Sequence, residues 1–181
     1  MKEVKPYIFF IELLYHNLLS IIGVCVSILI YTISMSFMDH KAEYFSYVVV
    51  FMALIKSLLI ANTTLKKSAQ LIDTCHSINQ ILLVFAVLIF MTISSFAFDF
   101  NCLFEVQSNS FKIEGVVGNN EYTKLFDFFY FSFITFSTVG YGDIVPVSLE
   151  AKSMVMLEIS LSFFIVVFAL SNIPKMHFKK S

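Results

Sequence analysis

The chain has 181 residues, a formal net charge of −1 and only 14% charged side chains, against 58% hydrophobic residues and a mean hydropathy of +0.83. Phe alone occurs 22 times, more apolar surface than a soluble domain of this size has interior to hide. All 12 basic residues are Lys, which excludes an Arg-rich voltage-sensing helix and argues against a nucleic-acid-binding face.

A bilayer core takes about 20 mainly apolar residues per helix. The first such run, from about Tyr7 to Phe37, is too long for a signal-peptide core and is closed by no small-residue cleavage site, so it reads as retained. The second runs from about Tyr44 to Ala61, the third from about Ile78 to Phe98, and the last from about Ser153 to Ile173 before Pro174. Between the third and the last, Tyr122 to Thr138 is rich in Phe but only one short helix long, and a Gly-rich stretch follows it directly. Too short to cross, it reads as a re-entrant helix and loop. The segment Phe100 to Glu121, with Gly115 and Gly118-Asn119-Asn120, is expected to be a solvent-exposed loop carrying a short hairpin around Gly118. The stretch after Pro174 is expected to be too short for a cytoplasmic ligand-binding domain.

Lys placement sets orientation. With both termini cytoplasmic, Lys2, Lys5, Lys66, Lys67, Lys175, Lys179 and Lys180 lie inside, and Lys41, Lys112, Lys124 and Lys152 outside. The acids fall the other way: Asp39, Glu43, Asp99, Glu105, Glu114, Glu121, Asp143 and Glu150 are expected outside or at the outer interface. Such a rim either concentrates cations or is ordinary loop polarity.

Thr138-Val139-Gly140-Tyr141-Gly142-Asp143 follows the aromatic helix. In lipid, non-helical backbone survives only where protein buries it or it lines a water-filled path. Stripping water from a cation takes many oxygens at fixed positions, and successive carbonyls point the same way only at unusual dihedrals. Gly140 and Gly142 reach positive φ at little cost. Val139 and Tyr141 are expected to turn away from the axis into surrounding protein, and Thr138 adds a hydroxyl at the inner end. The preceding helix, roughly Lys124 to Ser137, aims the negative end of its dipole at the same place, which favours a cation. As a bare string the motif also fits a tight turn; the aromatic helix before it and the apolar span after it favour an ion-binding loop.

With those residues in view, Asp127 to Asn172 resembles the pore module of potassium channels, in which four TVGYG loops form a selectivity filter. The run FFYFSFITFSTVGYGDIVPVSLEAKSMVMLEISLSFF gives aromatic pore helix, filter, Asp-x-x-Pro and inner helix in that order. The resemblance implies an all-α membrane protein of prokaryotic type, with four transmembrane helices, one re-entrant pore loop and a tetrameric pore. Residues 1–76 would hold two peripheral helices and 77–181 the pore module: outer helix 77–99, turret 100–122, pore helix 123–137, filter 138–143, inner helix 151–173 and a short tail. It implies a channel and not an enzyme: a homotetramer in the cell membrane, both termini cytoplasmic, with membrane lipid and its own copies as partners, no nucleic acid and no cofactor beyond K+ in the filter.

By position, the resemblance places carbonyl K+ sites at Thr138, Val139, Gly140, Tyr141 and Gly142, the Thr138 hydroxyl being innermost. Asp143 would brace the filter from behind, with Thr135 also in support. Tyr130 stands where relatives often place a Trp, Ile134 where some place a Glu, and Ser162 at the usual hinge glycine. Phe163, Val166 and Leu170 would face the cavity and gate, or pack on the outer helix.

Isolated polar residues in the spans are functional candidates by default. Glu158 has two readings: a hydrogen bond to the pore helix, for example through Thr135, that couples pH to the gate, or a satisfied packing group. Lys56 is expected to pair with Glu12 or to snorkel. Cys25, Cys75 and Cys102 show no metal-ligand spacing; Cys25 is expected to be inert, and Cys102 a free thiol or a bond between subunits. Rival functions are a potassium-transporter subunit, which would carry four pore loops in one chain, and a membrane scaffold or regulatory subunit.

Overall fold

The computed structural model describes residues 44–64, 78–114 and 120–172, together with Ile22 and Val26, each in helical conformation. The rest of the expected first span, Glu12, Cys25, Cys75 and the tail lie outside the described residues. The elements are α1 (Tyr44–Thr63), α2 (Ile78–Val106), β1 (Phe111–Ile113), α3 (Glu121–Phe136), β2 (Ile144–Pro146) and α4 (Leu149–Asn172), with a 3-10 turn at Ser108–Ser110.

Helices α1, α2 and α4 contain stretches long and apolar enough to cross a membrane: Phe45–Asn62, Gln80–Val106 and Leu149–Ser171. Helix α3 has 16 residues, so it is about 24 Å long and falls short of the roughly 30 Å hydrocarbon core. Asn120 starts it: its N–H donates to Thr123 Oγ1 at 3.2 Å, and the Thr123 hydroxyl donates to Asn120 O at 2.7 Å. At the start of α4, Ser148 Oγ accepts from Ala151 N at 3.1 Å, a side-chain cap, with Glu150 in the first turn on the favourable side of the dipole.

Helices α2 and α4 pack together, and both α1 and α3 lie against them. Polar groups on the spans largely satisfy themselves locally: Thr92 donates to Leu88 O and Ser57 to Leu54 O, each at 2.8 Å.

The segment after Phe98 departs from expectation. Helix α2 continues to Val106, and Phe100, Cys102, Leu103, Ser110 and Phe111 are buried rather than exposed in a loop. Aromatic packing is the cause. Phe111 meets Phe100, Phe128 and Phe131 with ring centroids 5.8, 5.2 and 5.7 Å away, and Phe100 meets Phe131 at 5.0 Å. Edge-to-face pairs of this kind add about 0.5–1.5 kcal/mol each beyond area burial. Phe111 therefore starts a strand, and β1 pairs antiparallel with β2 in the register Phe111↔Pro146, Lys112↔Val145, Ile113↔Ile144. The turret thus pairs with the chain beyond the Gly-rich loop; residues around Gly118 lie outside the described set. This pairing puts the end of α2 and the start of α4 at the same end of the fold.

Candidate ion-conduction site

The loop leaving α3 is tied to that helix through its carbonyls. Thr138 N donates to Thr135 O at 3.0 Å and Val139 N to Ile134 O at 2.9 Å, so groups that a helix end leaves orphaned find partners in the loop. The backbone then alternates: Thr138, Gly140 and Gly142 have φ of +58°, +56° and +84°. A Cβ built on Gly140 or Gly142 meets nothing within 4 Å, so the dihedral and not crowding favours glycine at both. Thr138 holds positive φ with a β-branched side chain, an uncommon state that marks local strain.

At the other end, Asp143 O accepts from Glu114 N at 2.8 Å, which extends the β1–β2 ladder to the last loop residue. Val147 N donates to Ser110 O at 2.8 Å and completes the tether. Asp143 Oδ1 accepts from its neighbour Ile144 N at 3.1 Å, and the Tyr130 hydroxyl of α3 donates to the Asp143 carboxylate. That hydrogen bond, with some desolvation, holds the Tyr130 phenol above its ordinary pKa. The structure thus brings Tyr130 and Asp143 together, whereas Ile134 is buried among apolar side chains and supplies only its carbonyl.

Residues 138–142 are exposed in the single chain, with Val139 at 53% and Tyr141 at 73%. On α4, Phe163, Val166 and Leu170 are also exposed and share an uncovered face. Ser162 is on the packed side instead, its hydroxyl donating to Ile159 O at 2.8 Å, and α4 runs unbroken through it. It does not line the face that Phe163 opens.

Two buried polar contacts were not foreseen. Lys56, expected to pair with Glu12 (which lies outside the described residues) or to snorkel, forms an ion pair with Asp99 of α2; the two side chains are 4% and 1% exposed. Asp99 escaped notice because the third span was expected to stop at Phe98, which put this acid at the interface; the longer helix carries it into the core. Glu158, 0% exposed, meets Ser132 and not Thr135: Ser132 Oγ lies 2.5 Å from Glu158 Oε1 and 3.0 Å from Ile93 O. Ser132 and Thr135 share a helix face three residues apart, so the expectation missed by one turn. Ser132 and Thr135 both carry a hydroxyl within the Phe-rich run from 128 to 136, so no signal in the sequence separates them.

The acidic rim is partly neutralised as well. Lys124 holds Glu105 at 2.8 Å and Lys112 lies 3.6 Å from Glu114, while Asp99 is buried with Lys56. Cys102 is a free, buried thiol. Among the described residues no group of His, Cys, Asp and Glu could hold a metal ion.

Among the described residues, three membrane-length helices, with a short helix and a positive-φ loop before the last, define a membrane protein. Residues 81–179 match the family model described as ion channel, and the chain belongs to that family. The match begins in α2 and runs past α4, leaving α1 outside it. No curated protein and no solved structure matches the chain. It is a channel protein and not an enzyme.

Proposed function

We propose that the chain is one quarter of a potassium-selective channel, a homotetramer in the cell membrane that passes K+ down its electrochemical gradient. The observation that carries this reading is the alternation of positive φ at Thr138, Gly140 and Gly142 within Thr-Val-Gly-Tyr-Gly. Alternating left- and right-handed residues turn successive carbonyls to one side, which a dehydrated cation needs. In this reading the carbonyls of Thr138, Val139, Gly140, Tyr141 and Gly142 replace water around K+, with the Thr138 hydroxyl at the innermost site. Tyr130 and Asp143 brace the outer end of the filter and Thr135 the inner end.

One loop supplies a quarter of a ring, so four copies surround one axis. The exposure of Val139 and Tyr141 supports this, since large apolar side chains beside a filter find cover on a neighbouring copy. The uncovered α4 face at Phe163, Val166 and Leu170 would line the cavity and a hydrophobic gate that closes by dewetting. Ser162, bonded back to Ile159, would be the point where α4 bends. Both termini lie on the cytoplasmic side.

The test is K+ against Na+ flux into liposomes holding the purified chain alone. Selective K+ flux is expected; absent flux, or equal flux of both ions, overturns the reading. Crosslinking in the membrane should give a ladder that stops at four copies.

A further inference from the structure

Ser132 is 0% exposed on α3 and has two acceptors in reach, Ile93 O of α2 at 3.0 Å and Glu158 Oε1 of α4 at 2.5 Å. A hydroxyl carries one proton and two lone pairs. Against an ionised Glu158 that proton serves one of the two oxygens, and the other is left facing a lone pair. The second carboxyl oxygen, Oε2, has no hydrogen-bond partner among the described residues. The charged group acting on Glu158 from α2 is Asp99, of like sign, and Lys56 of α1 is already bonded to Asp99. A buried carboxylate with one shared donor and no cation is among the costliest arrangements a protein interior can hold.

A carboxylic acid resolves the donor count. Glu158 O–H donates to Ser132 Oγ, and Ser132 O–H donates to Ile93 O; each proton then has one acceptor. The chain of two bonds crosses from the inner helix through α3 to the outer helix. It acts on the helix whose Ile134 and Thr135 carbonyls hold Val139 and Thr138 at the start of the loop.

We infer that Glu158, carrying its proton, is a positioning residue for the filter: together with Ile93 it clamps Ser132 from two sides and fixes the helix on which the loop hangs. The inference rests on the potassium-selective reading above. The clamp needs a hydrogen-bond donor on α4 and no negative charge. Gln meets that need, and Leu, of similar length, does not.

The experiment measures K+ against Na+ flux in liposomes for the wild type, Glu158→Gln, Glu158→Leu and the double variant Ser132→Ala/Glu158→Leu, each recovered as an assembled oligomer. The double variant leaves no stranded polar partner and so keeps the test alive if the single Leu variant fails to assemble. The wild type and Glu158→Gln should agree in selectivity within about twofold, while the Leu and double variants fall about tenfold, the factor that one ordinary hydrogen bond carries. A Gln variant impaired as far as Leu overturns the clamp, and so does a Leu or double variant as selective as the wild type. A wild type that itself shows no K+ preference instead overturns the potassium-selective reading, and the clamp falls with it.

Discussion

Replacing Lys56 with Met keeps most of the apolar stem but deletes the ammonium that faces Asp99. Both partners are in membrane-length helices and almost wholly buried, at 4% and 1% exposure, so solvent screening gives little relief. Removing one member of a buried pair costs about 3–5 kcal/mol, and an acid at the centre of a membrane helix costs about 2.5–3.5 kcal/mol on insertion scales. The two agree near ~3 kcal/mol, a large share of a native stability of roughly 5–15 kcal/mol. For a chain of this size each kcal/mol moves Tm by about 2–4 °C, so the variant should unfold about 6–12 °C lower. The double variant Lys56→Met/Asp99→Leu removes both charges of this pair and should recover part of the loss, because an apolar pair of similar volume often matches or exceeds a buried ion pair. Thermal unfolding of the detergent-solubilised protein, followed by circular dichroism, reads both. A Lys56→Met Tm unchanged within about 2 °C, or a double variant weaker than the single, would refute the reasoning.

Tyr130→Phe deletes the hydroxyl that Asp143 accepts. Because the folded phenol has a raised pKa, its contribution is present below the unfolded value near about 10 and is lost as pH rises through the folded one. K+ flux through the wild type should therefore hold to about pH 10 and fall above it, and the Phe variant, measured over the same range, should lack that alkaline limb. Phe111→Ala removes the ring that joins α2, α3 and β1 and should destabilise by about 3–5 kcal/mol, read as a lowered Tm. Gly142→Ala puts a Cβ on a residue with φ of +84°, where space is free but the dihedral is not. A strain of about 1–2 kcal/mol per chain should lower K+/Na+ selectivity in liposome flux while the circular dichroism of the helices is unchanged.

The spans expected near 44–61, 78–98 and 153–173 were legible because long, mainly apolar runs leave a span few alternatives. The loop was legible because glycine at alternate positions has a conformational meaning that does not depend on distant residues. What escaped the sequence was set by distant contacts. A three-residue strand has too little pattern to announce itself, and Phe111 becomes one only because Phe100, Phe128 and Phe131 are there to receive it. Asp99, flanked by Phe98 and Phe100, looked like the polar end of a span until the helix was seen to continue beyond it. Glu158 was legible as an anomaly, but a choice between Ser132 and Thr135 on one helix face depends on how α3 and α4 are rotated, which hydropathy does not record.

The loop from Thr138 to Gly142 is held by its two ends, and the two tethers differ in kind. The inner end hangs on backbone carbonyls of α3, a helix gripped between Ile93 and Glu158. The outer end is bound by Glu114 N to Asp143 O and by the β1–β2 pairing. Main-chain bonds do not depend on side-chain identity, so these tethers place little demand on which side chains stand at Tyr130 and Ile134. The tethers also draw on different neighbours. The inner one reaches α2 and α4 through a buried polar relay, while the outer one rests on the aromatic cluster around Phe111. Damage to Phe111 should therefore act first on the outer carbonyls, and damage to Ser132 on the inner ones, even though both residues pack against α2.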